Sequence, residues 1–254
     1  MNTLLEIKNI TKYYGSGVTI SKALNGISFT MKRGEFTAIM GASGSGKSTL
    51  LNVIATIDRP SSGSILLEGR DIAEMCEQDL SAFRRDRLGF IFQEYNLLDT
   101  LTVAENIVLP LNLQRKTIGE TQGRLQKAAA SLEITDQLSK FPRQLSGGQR
   151  QRAACARALI TEPALVLADE PTGALDSTNS KSLMQTFTVM NQQLGSTILM
   201  VTHDAVVGSY ASRILFLKDG KIWNELYRGD RTRQAMYHEI LNTMAVLGGE
   251  ADVR

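Results

Sequence analysis

The chain has 254 residues, of which 43% are hydrophobic and 21% charged, and this composition is typical of an ordinary folded protein. A chain of this length buries a substantial core without covalent cross-links. Its net charge of +2 gives no indication of a nucleic-acid-binding surface.

The first quarter of the chain predicts strands that lead into a helix. Residues 4–10 alternate apolar and polar side chains, and residues 23–31 predict a second strand after a turn-rich segment. A short apolar strand at 36–40 then runs directly into the glycine-rich segment 41–48, which opens a helix over 49–55.

Residues 71–145 have a different pattern, in which charged segments with helical apolar spacing dominate. The elements predicted after them are strands at 165–168 and 197–201, a helix at 180–193, and a hairpin of 213–217 and 221–225 around Asp219-Gly220. Strands alternating with helices predict an α/β core. The helical stretch then becomes an inserted subdomain.

No stretch of the sequence has the features of an export or membrane-spanning segment. The N-terminus lacks a charged start followed by an apolar core and a cleavage site. Apolar runs such as 164–168 are far shorter than the roughly 18 residues that a spanning helix needs. Cys76 and Cys155 lie far apart without metal-ligand spacing, which favours reduced thiols. We therefore expect a soluble protein that reaches a membrane only through a partner.

The glycine-rich segment fits the phosphate-binding pattern G-x-x-x-x-G-K-[ST] at every fixed position, with a strand before it and a helix after it. Its backbone N–H groups and the positive end of the helix are expected to face the same anion. Lys47 is expected to reach the β- and γ-phosphates, and the Ser48 hydroxyl to ligate Mg²⁺. A chance glycine-rich turn explains this context poorly. The predicted nucleotide contacts are Gly41, Ala42, Ser43, Gly44, Ser45, Gly46, Lys47, Ser48 and Thr49.

Two carboxylates follow the apolar strand 165–168 and complete the predicted site. Asp169, at the edge of the sheet, is expected to hold the metal through water, as a Walker-B aspartate does. Glu170 is expected to polarise the attacking water as a general base. An acidic pair after a strand is explained equally well by a helix N-cap when taken alone. Its combination with the phosphate loop indicates nucleotide hydrolysis.

Leu145 opens the motif LSGGQ, which precedes a helical run. Ser146, Gly147, Gly148 and Gln149 form a second anion-binding helix N-terminus, although a flexible turn before a helix is the alternative. With this motif the chain resembles the ATP-binding cassette family, whose signature is LSGGQ.

The resemblance assigns roles to further residues. Tyr14 matches the aromatic residue that stacks on adenine, with Tyr13 as the less favoured alternative. Gln93 matches the glutamine that contacts Mg²⁺ and the attacking water, and it begins the segment that faces a membrane partner. Residues 174–176 match a dimer-contact loop, and His203 matches a switch histidine that contacts the γ-phosphate.

The resemblance covers about residues 4–227 and implies a P-loop NTPase (RecA-like) α/β core with an antiparallel β subdomain and an inserted helical signature subdomain. It implies one ATP-binding domain over 1–229, with the helical subdomain at about 94–160. Family members form head-to-tail homodimers, in which the phosphate loop of one copy and the LSGGQ of the other hold a shared ATP. Because Glu170 is intact, both sites are expected to hydrolyse ATP.

Residues 230–254 are predicted to form a C-terminal amphipathic helical extension. Its apolar side chains recur at helical spacing and are Met236, Ile240, Met244 and Leu247, with Tyr237 and Leu241 widening the stripe. Packing on its own domain is the favoured explanation, and a dimer or permease contact is the alternative.

Longer segments indicate a branch of the family. Residues 92–98 and 168–177 resemble ATPases of lipoprotein release and macrolide efflux. Within that branch, residues 57–60, 96–102 and 242–249 resemble the bacitracin-resistance (Bce-type) ATPases. This resemblance implies an integral membrane permease, defence against cell-wall-targeting peptide antibiotics, and a membrane sensor histidine kinase in the same assembly. It places the chain in the cytoplasm, on the inner face of the membrane.

Three alternatives remain open. A nucleotide-binding regulator without turnover is disfavoured by the intact Glu170 and His203. Another is the ATPase of a lipoprotein-release or macrolide-efflux transporter. The third is a soluble cassette that acts on DNA or ribosomes, which the single phosphate loop, the single LSGGQ and the absence of sustained heptads disfavour. Nucleic acid is therefore not expected as a partner.

Overall fold

The computed structural model describes residues 3–15, 20–173 and 175–248. It divides into a first unit, Met1–Cys76 with Thr197–Arg254, and a second unit, Glu77–Ser196. Ala174 of the predicted dimer-contact loop and residues 249–254 of the predicted extension lie outside the described residues. Within the described ranges, no helix combines the length and apolar character needed to cross a membrane.

In chain order the strands are β1 (Thr3–Tyr14), β2 (Ser21–Lys32), β3 (Phe36–Met40), β4 (Ser62–Leu67), β5 (Arg70–Asp71), β6 (Leu88–Ile91), β7 (Leu165–Asp169), β8 (Ile198–Val201), β9 (Arg213–Lys218) and β10 (Lys221–Tyr227). The α-helices are α1 (Lys47–Ile54), α2 (Glu77–Arg87), α3 (Val103–Leu113), α4 (Ile118–Ser131), α5 (Gly147–Leu159), α6 (Ser177–Gln192), α7 (Ala205–Gly208) and α8 (Arg233–Gly248). Short 3₁₀ turns occupy Thr135–Gln137 and Pro142–Gln144.

An antiparallel sheet in the first unit has the strand order β2-β1-β4-β5. The strand β1 lies inside it, with Leu5 opposite Met31 on β2 and opposite Leu67 on β4. All three side chains are buried, as the alternation of apolar and polar residues along β1 predicts. The two predicted strands are confirmed with longer bounds, while β4 and β5 were not predicted.

The first unit also contains parallel strands around β3, all five residues of which are buried. The strands β8 and β9 pair with β3 in parallel, so that the carboxyl ends of all three meet at one edge. The hairpin of β9 and β10 is confirmed. Its loop residues Asp219 and Gly220 have φ angles of 50° and 71°, as a type I′ turn requires.

The second unit pairs β6 with β7 in parallel and contains the helices α2 to α6. The helical segments expected to dominate residues 71–145 are interrupted by β6, which was not predicted. This strand has only four residues, too few to show a period, and it follows the charged helix α2 directly. Gly89 lets it approach α5, because a Cβ at this position would lie 2.5 Å from the Ala158 carbonyl oxygen.

The C-terminal helix α8 packs on the first unit. Met236 and Ile240 are fully buried, and the Lys218 ammonium donates to the Leu247 carbonyl over 3.0 Å. A Cβ on Gly208 would lie 3.6 Å from Ile240 Cδ1, so α7 and α8 are in contact. This burial supports the packing of the helix on its own domain, although Leu241 remains 40% exposed.

The two cysteines are free thiols in different surroundings. Cys76 is exposed, whereas Cys155 is fully buried and burial raises the pKa of its thiol to about 12. Cys155 therefore contributes to packing rather than to chemistry.

Candidate functional site

The predicted phosphate loop connects β3 to α1 and depends on glycine for its path. A Cβ on Gly41 would lie 2.2 Å from the Leu217 carbonyl oxygen, and a Cβ on Gly46 would lie 2.4 Å from that of Ala23. Gly46 also has a φ of 103°, which other residues rarely adopt. The backbone therefore turns tightly between neighbouring segments, with its N–H groups free of side-chain bulk.

The amino end of α1 is arranged for an anion. Its N-cap residue, Gly46, supplies no side-chain cap, and no acidic residue occupies the first turn. Side chains cap α3, α4, α5, α6 and α7 instead. The Ser45 hydroxyl is buried in the same loop and has no hydrogen-bond partner among the residues that the structure describes. An uncapped helix start and an unpaired hydroxyl suit the oxygens of a phosphate chain.

The Lys47 side chain lies inside this loop. Its ammonium donates to the carbonyl oxygens of Gly41 and Ala42 over 3.0 and 2.8 Å, and the residue is only 7% exposed. The cation is thus held at the place where the sequence predicts phosphate binding.

His203 lies at the same edge of the first unit as the phosphate loop. The strands β3 and β8 pair Ile39 with Val201, and the Thr202 N–H donates to the Ile39 carbonyl over 3.1 Å. The chain then turns into α7, whose N-cap Asp204 follows the exposed His203 directly. The structure therefore brings the predicted switch histidine beside the loop that follows β3.

Gln93, Asp169 and Glu170 meet at the corresponding edge of the second unit. The parallel pairing of Ile91 with Ala168 places the residues after β6 next to those after β7. The Gln93 amide nitrogen lies 2.9 Å from the position a Cβ on Gly173 would take, so its side chain contacts the turn after Glu170. Glu170 itself has a φ of 41°, a left-handed conformation that is strained for glutamate.

The signature motif caps its own helix. The Ser146 hydroxyl accepts from the Gln149 N–H over 3.3 Å, and the Gln149 side chain accepts from the Ser146 N–H over 3.0 Å. A Cβ on Gly147 would lie 3.7 Å from the Tyr95 hydroxyl and 3.8 Å from the Asn179 side chain. A Cβ on Gly148 would lie 3.7 Å from the Asn179 side chain. Asn179 in turn donates to Asp176, the N-cap of α6.

Sequence analysis missed Arg157, which holds the loop that follows Gln93. Its guanidinium donates to the carbonyl oxygens of Tyr95 and Asn96 over 2.6 and 2.5 Å. Both of these residues have left-handed φ angles, 55° and 48°. Burial lowers the pKa of Arg157, yet the group stays charged at neutral pH. Its only sequence signal is a basic residue within the apolar pattern of α5, and its targets lie 61 and 62 positions away.

Asn106 was missed as well and holds the next part of the loop. Its side chain is fully buried and accepts from the Leu98 N–H over 2.7 Å. The amide nitrogen donates to the carbonyl oxygens of Leu98, Leu101 and Thr102. An asparagine directly before the buried Ile107, three positions after the buried Val103, is the signal that could have found it.

The residues predicted to hold a metal offer oxygen donors: the Ser48 hydroxyl, the Gln93 amide and the Asp169 carboxylate. No group of three or more histidine, cysteine or acidic side chains gathers among residues 3–15, 20–173 and 175–248. A donor set of this kind suits Mg²⁺, which is bound through few protein ligands together with substrate phosphates and water.

A groove of about 370 Å³ lies on the surface of the second unit. Its apolar lining includes Phe90, Leu109, Pro110 and Leu113, and its arginines are Arg84, Arg85 and Arg157. Arg157, which anchors the loop after Gln93, also lines the groove.

The chain is similar in sequence to members of one known family. The family described as ABC transporter matches residues 24–173, more than half of the chain. The bacitracin export ATP-binding protein BceA of Halalkalibacterium halodurans is 49% identical over 97% of both chains. The ABC transporter ATP-binding protein YxdL of Bacillus subtilis is 51% identical over 99% of this chain and 97% of its own.

Solved structures confirm the predicted P-loop NTPase fold. The cassette MJ0796, in a dimeric post-hydrolysis state bound to ADP and Pi, is 39% identical and superposes with a TM-score of 0.77 over 88% of this chain and 98% of its own. The structure of cbiO1 from Clostridium perfringens, part of the complex cbiONQ, is 27% identical. It superposes with a TM-score of 0.82 over 97% of this chain and 96% of its own.

Replacement of Gly46 by alanine tests the phosphate loop. The added Cβ meets the Ala23 carbonyl at 2.4 Å, so Gly46→Ala is expected to weaken ATP binding about 100-fold, measured by calorimetric titration. Gly44→Ala is the matched control, because Gly44 also has a positive φ but a Cβ there meets nothing within 4 Å. Gly44→Ala should weaken ATP binding only about fivefold. Equal losses in both variants would contradict the steric argument.

Replacement of Arg157 by methionine tests the anchor of the loop after Gln93. Without its two hydrogen bonds the loop leaves its left-handed conformation, and the ATPase kcat is expected to fall about tenfold while ATP binding is retained. Steady-state kinetics and calorimetric titration measure the two quantities. Arg150→Met is the control, since Arg150 lies over the Tyr95 ring at 5.7 Å but donates to neither carbonyl. An unchanged kcat in Arg157→Met would exclude the positioning role.

Proposed function

Since the chain belongs to the ABC transporter family, we propose that it is the ATP-hydrolysing subunit of a transporter that confers resistance to cell-wall-targeting peptide antibiotics such as bacitracin. The observation that carries the ATPase part is the phosphate loop, whose glycines, uncapped helix and unpaired Ser45 hydroxyl suit a nucleotide triphosphate. The antibiotic class rests on the relationship to BceA.

The family resemblance supplies the roles of the nucleotide-site residues in this proposal. Tyr14 stacks on the adenine, and the loop from Gly41 to Thr49 surrounds the phosphates. Glu170 accepts a proton from the attacking water, and His203 contacts the γ-phosphate. Left-handed strain at Glu170 supports such a role, since strain of this kind accumulates at functional sites.

Ser48, Gln93 and Asp169 are the residues that hold Mg²⁺ in this proposal. A magnesium ion held there would neutralise charge on the phosphate oxygens. The Gln93 side chain contacts the turn that directly follows Glu170, the proposed general base.

A homodimer completes each site. The chain carries one phosphate loop and one signature motif, and Ser146, Gly147, Gly148 and Gln149 of one copy contact the ATP bound by the other. The related cassette MJ0796 supports this arrangement, because it was solved as a dimer. ATP binding then favours the closed dimer, and hydrolysis favours the open one.

The groove on the second unit is proposed to seat a helix of an integral membrane permease, which holds the chain on the cytoplasmic face of the membrane. An apolar floor with arginines around it suits an amphipathic helix with carboxylates. Arg157 lines the groove and binds the Tyr95 and Asn96 carbonyls, which gives a direct route from the permease to the loop after Gln93. A membrane sensor histidine kinase joins the same assembly through the permease.

A macrolide-efflux role is the second candidate. The macrolide export ATP-binding/permease protein MacB of Hyphomonas neptunium is 43% identical over 86% of this chain, but over only 34% of its own length. The greater coverage of BceA, 97% of both chains, favours the peptide-antibiotic proposal.

Replacement of Glu170 by glutamine tests the hydrolytic role. Glu170→Gln removes the general base and is expected to lower the ATPase rate at least about 100-fold while it traps an ATP-bound dimer, detected by light scattering. Glu162→Gln is the matched control, because Glu162 also has a positive φ of 53° but is 62% exposed and pairs with Arg124 and Lys127. A Glu170→Gln enzyme with unchanged turnover would refute this role.

Replacement of Leu113 by arginine tests the groove. Leu113 is 64% exposed at the groove, so Leu113→Arg leaves the core intact but adds a charge beside the existing arginines. We expect the affinity for the co-expressed permease to fall about tenfold in a detergent pull-down, with the basal ATPase rate preserved. Ile118→Arg is the control, as Ile118 is 82% exposed and outside the groove. Equal permease binding by both variants would disprove docking here.

A further inference from the structure

The segment after α1 contacts the side chain of Tyr14 through Asp58. The Asp58 carboxylate accepts three hydrogen bonds: from the Tyr14 hydroxyl over 2.7 Å, from the Lys12 ammonium over 2.5 Å and from the Arg59 N–H over 2.7 Å. One carboxylate therefore joins two side chains of β1 to the turn that follows α1.

Lys12 completes this arrangement. Its ammonium also donates to the Arg59 carbonyl over 2.8 Å and lies 4.9 Å from the centroid of the Tyr14 ring. The Lys12 side chain is 13% exposed and the Asp58 side chain 29%, so water screens their attraction only in part. A cation held over one face of the ring fixes the orientation of the ring, while 42% of Tyr14 stays exposed.

Asp58 is itself tied to the helix that starts at the phosphate loop. The N–H groups of Ile57 and Asp58 donate to the Asn52 carbonyl on α1 over 2.9 and 3.2 Å, after a left-handed turn at Thr56. The distance between the aromatic ring and the phosphate loop is therefore set by one helix and one carboxylate. Tyr13 is held differently, with its N–H donating to the Ser61 hydroxyl.

From this geometry we propose that Asp58 is a positioning residue for the nucleotide base: it holds the Tyr14 ring, together with Lys12, as a preorganised surface on which the base stacks. The proposal rests on the nucleotide site described under Proposed function. Because the Tyr14 hydroxyl is committed to Asp58, the ring offers the base only its face. Stacking of this kind does not distinguish one purine from another.

The protonation states agree with the proposal. Burial raises the pKa of Asp58, but the hydrogen bonds from Lys12, Tyr14 and the Arg59 N–H outweigh burial and hold it below its ordinary value. Burial and the Asp58 contact raise the pKa of Tyr14, while a hydrogen bond with Thr49 lowers it, with a net increase. At neutral pH the carboxylate is thus charged and the phenol keeps its donor proton.

The experiment compares a nucleotide with a phosphate chain that has no base. Calorimetric titration of Asp58→Ala is expected to show ATP and GTP bound about tenfold more weakly, since base–aromatic stacking contributes about this much, and tripolyphosphate bound as by the wild type. In steady-state ATPase assays the KM for ATP should rise by the same factor with kcat unchanged.

Three further variants separate positioning from folding. Asp58→Asn keeps one acceptor oxygen, which serves either the Tyr14 hydroxyl or the Arg59 N–H, and should recover part of the ATP affinity. Tyr14→Phe keeps the ring but not the hydroxyl, and adding it to Asp58→Ala should cause little further loss, because Asp58→Ala already removes the Tyr14–Asp58 hydrogen bond. Glu68→Ala, which removes a surface partner of Arg33 in the same sheet, should leave the KM for ATP unchanged.

Each remaining outcome would overturn the proposal. Equal weakening of ATP and tripolyphosphate would assign Asp58 to the stability of the phosphate loop, and unchanged ATP affinity in Asp58→Ala would remove it from the site altogether. Failure of the wild type to bind ATP would refute the proposed function itself, which the titration of the wild type detects separately.

Discussion

The parallel pairing of short buried strands is the constraint on which the site depends. Because β3 and β8 end at one edge, the phosphate loop and His203 leave the sheet side by side. The pairing of β6 with β7 does the same for Gln93 and the two carboxylates. Each of these residues is thus placed by the end of a strand, and the loops beyond need only hold short distances.

Close approach of backbone segments has consequences for residue type. Gly41, Gly46 and Gly89 stand where any Cβ would contact a carbonyl oxygen at 2.5 Å or less. Glu170 occupies a conformation that glycine would adopt without strain, yet a carboxylate is retained there. Lack of space for a Cβ determines the residue type at the glycine positions, whereas the role proposed for the Glu170 carboxylate accounts for a glutamate there.

The sequence predicts the site best where function depends on contiguous residues. The phosphate loop, the strand before it and the Asp219-Gly220 turn are local patterns, and all are found as expected. The anchor Arg157 and the Asp58–Tyr14 contact join residues 62 and 44 positions apart, and neither has a local pattern. The strand β6 is missed for another reason, since four residues between a charged helix and a loop carry no period.

The helix α5 begins at the signature motif and carries Arg157 near its far end. The length of the helix between them fixes the distance from the signature motif to Arg157. One inserted residue would rotate the guanidinium by about 100° and shift it by about 1.5 Å, away from both carbonyls it binds. Substitutions on the outer face of α5 leave this spacing intact, whereas an insertion or deletion does not. Evolution of this subunit is therefore expected to vary the composition of the helix while conserving its length.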